Sequence, residues 1–126
     1  MSLHVSPDTA RKVSTPAATM VTLASPTTAP ALDLAVWRTE LPAGSVGPHH
    51  TIDVDQFLVV LSGAVRAEID ATSYDVRPGE GLKLPAGTVR VLSAGGTEPA
   101  VTLTVGHPDA FATVGGGDPV PVPWTA

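Results

Sequence analysis

Turn-forming glycines and prolines cut residues 32–107 into segments too short for helices. Pro42-Ala43-Gly44, Ser62-Gly63, Arg77-Pro78-Gly79, Pro85-Ala86-Gly87 and Ala94-Gly95-Gly96 punctuate that stretch. Proline removes a backbone donor and fixes φ, and glycine accepts the positive φ of tight turns, so each cluster ends an element. The intervals that remain are 34–41, 56–61, 64–69, 74–76, 81–84, 88–93 and 101–105. In 101–105, Val101, Leu103 and Val105 alternate with Thr102 and Thr104, the pattern of a half-buried strand. No segment keeps a helical period over a window of about 11 residues. Short strands at regular spacing, with turns between them, predict an all-β barrel or sandwich.

The flanks read differently. Residues 1–31 are an arm rich in Ser, Thr, Pro and Ala, with one possible strand at 20–24. Residues 32–107 form the barrel. Residues 108–126 are an extended tail carrying Gly115-Gly116-Gly117 and then Pro119, Pro121 and Pro123. Trp124 is out of place on a free tail, because burying an indole stabilises by a few kcal/mol. It is expected to dock on the barrel or on a partner subunit.

Composition narrows the function classes. A length of 126 residues is one domain. The chain has no Cys, which excludes disulfides, thiolate metal sites and Cys nucleophiles. No run approaches the ~18 apolar residues of a membrane span. Arg11-Lys12 is followed by Val13-Ser14-Thr15-Pro16 rather than by a signal core, so the expectation is a cytoplasmic protein without a membrane partner. Net charge is −5 with scattered basic residues, so no positive patch offers itself to nucleic acid. The triple glycine is not a phosphate loop, since no Lys-Ser/Thr follows it. No Gly-x-Ser-x-Gly elbow occurs.

Two motifs carry the remaining information. The first is Gly44-x5-His50-x-Ile52-x3-Gln56-x6-Gly63, and the second is Gly79-x5-Pro85-x-Gly87-x2-Arg90. Together they resemble the paired signature motifs of the cupin superfamily, over about 75 residues. The resemblance implies a double-stranded β-helix, a jelly-roll barrel of two antiparallel sheets. It also implies a homodimer, often built by exchange of an N-terminal strand. In that family the first motif supplies two His and a Glu, and the second supplies one more His, to a bound transition metal. Here those places hold His50, Ile52, Gln56 and Arg90. Ile52 has no donor, Gln56 has only a neutral amide, and Arg90 has a fixed positive charge. No metal cofactor is therefore expected. The alternative is a divalent transition metal held by an unorthodox set drawn from His50, His49, Asp53 and Asp55.

Strand parity predicts the neighbours of these residues. Gln56, Leu58 and Val60 share one face, as do Thr88, Arg90 and Leu92. If those faces line the barrel, the site is an apolar pocket with a few polar heads. Leu58, Val60, Leu82, Leu84 and Leu92 are candidate wall, and His50, Gln56 and Arg90 are candidate heads. A buried Arg90 needs a partner. Glu40 or Asp53 would make an internal ion pair, and an anionic ligand would make a binding site. Three functions follow. One is metal-free binding of a small organic anion. Another is a metal-free isomerase, epimerase or cyclase, with His50 as general base and Arg90 holding the developing oxyanion. A metal-dependent oxygenase is a third. His107, beyond the last strand, is expected to cap the barrel mouth, and His4 to have no role.

Overall fold

The computed structural model describes residues 3–126. Twelve strands are built within that range, with one 3-10 turn at Pro123–Thr125. They run β1 (Arg11–Ser14), β2 (Thr19–Ala24), β3 (Ala35–Leu41), β4 (His50–Ile52), β5 (Gln56–Ser62) and β6 (Val65–Ile69). Then follow β7 (Thr72–Val76), β8 (Gly81–Leu84), β9 (Arg90–Ala94), β10 (Ala100–Gly106), β11 (Phe111–Val114) and β12 (Val120–Pro121). No helix among the described residues is long and apolar enough to cross a membrane.

The strands form two six-stranded antiparallel sheets. The first has the order β1-β2-β3-β10-β5-β8 and the second β12-β11-β4-β9-β6-β7. Every pairing is antiparallel. Strands consecutive in sequence repeatedly fall in opposite sheets, as in a jelly roll, and the interior lies between the two sheets. The segment 1–31 supplies two strands rather than one, because Lys12 and Val13 find partners in Val21 and Met20. The tail supplies β11 and β12 to the second sheet and ends in the 3-10 turn.

The turn residues act as their chemistry dictates. Gly44, Gly63, Gly79 and Gly87 all have positive φ. At Gly63 a second constraint applies, since a Cβ would fall against the Pro99 carbonyl and the Ala100 Cα. The β6–β7 hairpin turns on Asp70 and Ala71, with φ of 47° and 70°. Two consecutive left-handed residues match a type I′ turn.

Alternation along the strands sorts side chains in and out. Leu41, Leu58, Val60, Val65, Ala67, Val76, Leu82, Leu84 and Ala100 join residues of both sheets in one buried cluster. Met20, Ala35 and Trp37 form a second cluster, and Ile52, Ala110 and Val122 a third. Trp124 packs against both smaller clusters and ties them together. It therefore docks on its own barrel. Thr125 secures that docking, since its buried hydroxyl accepts from the Ala110 N–H at 3.1 Å and donates to the Val122 carbonyl at 3.1 Å. Thr22 Oγ1 also donates to the Trp124 carbonyl at 2.9 Å.

Candidate functional site

Between the sheets lies a cavity of about 220 Å³. Its polar end is set by three strands. On β4, residues 50 and 52 point the same way, so His50 and Ile52 both line it. On β5 the same parity brings in Gln56 and Leu58, and on β9 Arg90 and Leu92. His50 and Arg90 are directly opposed on adjacent strands, as Cα partners in the β4–β9 ladder.

Arg90 is the decisive side chain. Only 1% of it is exposed. Nη1 donates to Gln56 Oε1 at 3.1 Å, and Nη2 donates to the Pro85 carbonyl at 3.0 Å. The first bond reaches from the second sheet to β5 of the first, and the second reaches the turn between β8 and β9. Its Nε is buried and unpartnered. The expected ion pair with Glu40 or Asp53 is not there. Glu40 lies 3.8 Å from Arg38 instead, and Asp53 Oδ1 accepts from the Phe111 N–H at 2.8 Å. Both acids are exposed, Glu40 on the outward parity of β3 and Asp53 just beyond the end of β4. Burial lowers the pKa of Arg90 from its ordinary value.

Gln56 faces Arg90 with its carbonyl oxygen, because a guanidinium only donates. Its amide N–H groups remain to donate elsewhere. His50 Nδ1 lies 2.9 Å from the Pro48 carbonyl. A carbonyl only accepts, so Nδ1 carries the proton and the neutral ring keeps its lone pair on Nε2. Burial lowers the His50 pKa, the Pro48 bond opposes that, and Arg90 lowers it further.

The rest of the lining is largely apolar, with Met20, Trp37, Leu41 and Trp124 prominent. Leu84 and Leu92 also line the cavity, whereas Val60 and Leu82 do not. Parity turns these two inward, but they sit deeper in the packed core, at 0% and 7% exposure. Thr88 is held in the preceding turn, where its hydroxyl donates to the Pro85 carbonyl. His107 is exposed and outside the lining, so it does not cap this cavity. Sequence reasoning missed Met20, Trp37, Thr39, Thr102 and Thr104 as lining. Thr102 and Thr104 were legible as one face of β10, but their hydroxyls suggested the solvent side.

A model of the cupin domain matches residues 37–106. This chain belongs to the cupin family. Solved structures agree at the level of fold. A sugar phosphate isomerase of the cupin superfamily from Silicibacter pomeroyi superposes with a TM-score of 0.71 at 20% identity, over 91% of this chain and 83% of that one. A polyketide cyclase from Streptomyces resistomycificus gives 0.70 at 21% identity, over 85% and 80%. An oxalate decarboxylase from Bacillus subtilis gives 0.73 at 18% identity, over 85% of this chain and 30% of that one. Comparison with curated proteins finds no match.

The transition metal that cupin motifs imply does not fit these residues. Ile52 offers no donor, Arg90 brings a positive charge, and the Gln56 oxygen is already engaged by Arg90. The unorthodox set fares no better. Asp53 and Asp55 are exposed and hold backbone, Asp55 Oδ1 accepting from the Ala86 N–H at 2.8 Å. His49 is exposed and does not line the cavity. No three His, Cys, Asp or Glu converge among the described residues.

Proposed function

We propose that this cupin binds a small organic anion in the barrel cavity without a metal. Arg90 carries the reading. A guanidinium with 1% exposure, no carboxylate partner among the described residues and an unpartnered Nε is an uncompensated buried charge. Such a charge is costly until something negative meets it. Arg90 would hold the anion, the Gln56 amide would donate a further bond, and His50 would border the same space. Leu58, Leu84 and Leu92 would contact the rest of the ligand.

A second reading is favoured by one observation, the state of His50. Its Nδ1–H is fixed on Pro48 and its pKa is lowered, which leaves a neutral ring with a lone pair at neutral pH. That is the form of a general base. The barrel would then run a metal-free isomerisation, epimerisation or cyclisation, with Arg90 stabilising the oxyanion. The isomerase and cyclase neighbours share the fold and lend this reading its precedent.

We also propose a homodimer. Phe57, Leu61 and Val105 stand exposed on the outward face of the first sheet. Lys83 on β8 and Glu40 on β3 lie at opposite corners of that face. A two-fold axis in the plane of the interface would bring each over the other's counterpart.

Titration calorimetry against a panel of carboxylates separates these readings. Binding is expected in the wild type, with loss of about tenfold or more in affinity in Arg90→Gln, the scale of a hydrogen bond to a charged group. Turnover that disappears in His50→Ala while affinity survives would establish the enzyme reading. Near one equivalent of a transition metal retained after metal loading and desalting would sink both.

A further inference from the structure

The cavity also constrains the body of its ligand. We infer that it takes a single-ring aromatic or similarly flat apolar carboxylate in preference to a sugar phosphate. The inference rests on Arg90 being the anion anchor. Three observations carry it.

The first is size. An apolar cavity of about 150 Å³ accommodates a benzene molecule. The volume here, about 220 Å³, is that of one ring with a short acidic substituent.

The second is the shortage of polar partners. A sugar phosphate presents several hydroxyls and close to two negative charges, and each buried hydroxyl needs its own hydrogen bond. Against that the lining offers one guanidinium, one amide, one imidazole and the hydroxyls of Thr15, Thr39, Thr102 and Thr104, of which Thr15 is already engaged by the backbone of Ala17 and Ala18. Arg90 already commits two of its nitrogens to Gln56 and Pro85. What remains suits one carboxylate.

The third is the wall. Trp37 and Trp124 both line the cavity, although the whole chain has only two Trp. Their flat apolar faces favour another ring. Met20, beside Trp37 in the same cluster, adapts to irregular ligand edges. The 3-10 turn that carries Trp124 to the cavity is held by Thr22, Thr125 and Arg11, whose Nη2 donates to the Ala126 carbonyl at 2.9 Å.

The test measures thermal shift and tryptophan fluorescence with phenylacetate, 3-phenylpropionate, acetate and glucose 6-phosphate. The two aryl acids should raise the melting temperature and perturb the fluorescence, with glucose 6-phosphate and acetate inert. Arg90→Gln should weaken the aryl acids about tenfold or more. Trp124→Leu, which keeps an apolar residue in place, should weaken them about threefold to tenfold through lost ring contact. Binding of glucose 6-phosphate without the aryl acids would overturn this inference and leave the anion anchor standing. Aryl acids bound equally well by Arg90→Gln, or no acid bound at all, would overturn the anchor and the inference together. Acetate binding as tightly as the aryl acids would show that the ring contributes nothing.

Discussion

Two departures from one family pattern set the charge of this cavity. Arg90 and Gln56 stand at places where the cupin motifs that this chain resembles carry His and Glu, and here the two bond each other. With Glu at position 56, the pair would be an internal salt bridge and the guanidinium would be neutralised. The amide accepts the hydrogen bond but leaves the positive charge in place. Gln56→Glu is therefore expected to abolish anion binding while the protein stays folded, with an unchanged or higher melting temperature. Calorimetry and a melting curve on the same sample check both halves. His50 makes a pH prediction. Its folded pKa lies below the ordinary histidine value of about 6.5, so the unfolded chain binds the proton more readily. Its contribution to stability is complete above that value and is lost as pH falls through the lower folded pKa. Urea melts between pH 7.5 and 5 should show stability declining on acidification, and His50→Leu should flatten the slope.

At the level of elements, the C-terminal strands and turn are what a barrel from β3 to β10 lacks. They bring Trp124 against two core clusters and close the cavity on that side. The joint is small. One fully buried hydroxyl, that of Thr125, satisfies the N–H of Ala110, itself 1% exposed. Thr125→Val keeps the shape but strands that donor, at a cost of about 1–3 kcal/mol. Amide exchange should accelerate over β11, β12 and the turn, and Trp124 fluorescence should shift red, while β5, β6 and β10 stay protected. Equal acceleration throughout would mean that the turn unfolds only with the whole barrel. At the β6–β7 hairpin the strands were legible in sequence and only the turn was hidden. Asp70-Ala71 forms a left-handed two-residue turn without the glycine that usually announces one.

For the whole molecule, one surface with exposed apolar side chains is the outward face of the first sheet. Phe57, Leu61 and Val105 are 44%, 50% and 41% exposed, on adjacent central strands. Apolar side chains exposed together on a sheet face suit the proposed dimer interface. A second copy would cover it and pair Lys83 with Glu40. Light scattering after size exclusion should give twice the chain mass. Phe57→Glu should give a monomer with an intact cavity, read from unchanged binding. A wild-type monomer at high micromolar concentration would remove the dimer from the account.

What the sequence determined by itself was whatever depends on backbone needs that are local. Gly44, Gly63, Gly79 and Gly87 require left-handed φ where they stand, so the frame, the strands between its turns and hence the family were legible residue by residue. Parity was legible too, because alternation is a property of one strand, and it put His50, Gln56, Leu58, Arg90 and Leu92 on the faces that line the cavity. Depth was not legible. Val60 shares a face with Leu58 yet lies in solid core, since depth depends on what the opposite sheet presents. Neither was the partner of Arg90, which is chosen by two strands from different sheets meeting 34 residues apart in sequence. β1 is a strand because β2 offers it an edge, and nothing in Arg11–Ser14 demands one. Trp124 belongs to the cavity because a turn folds back across the barrel. Apart from the local β1–β2 pairing, long-range packing decided these points, and with them the chemistry the cavity can hold.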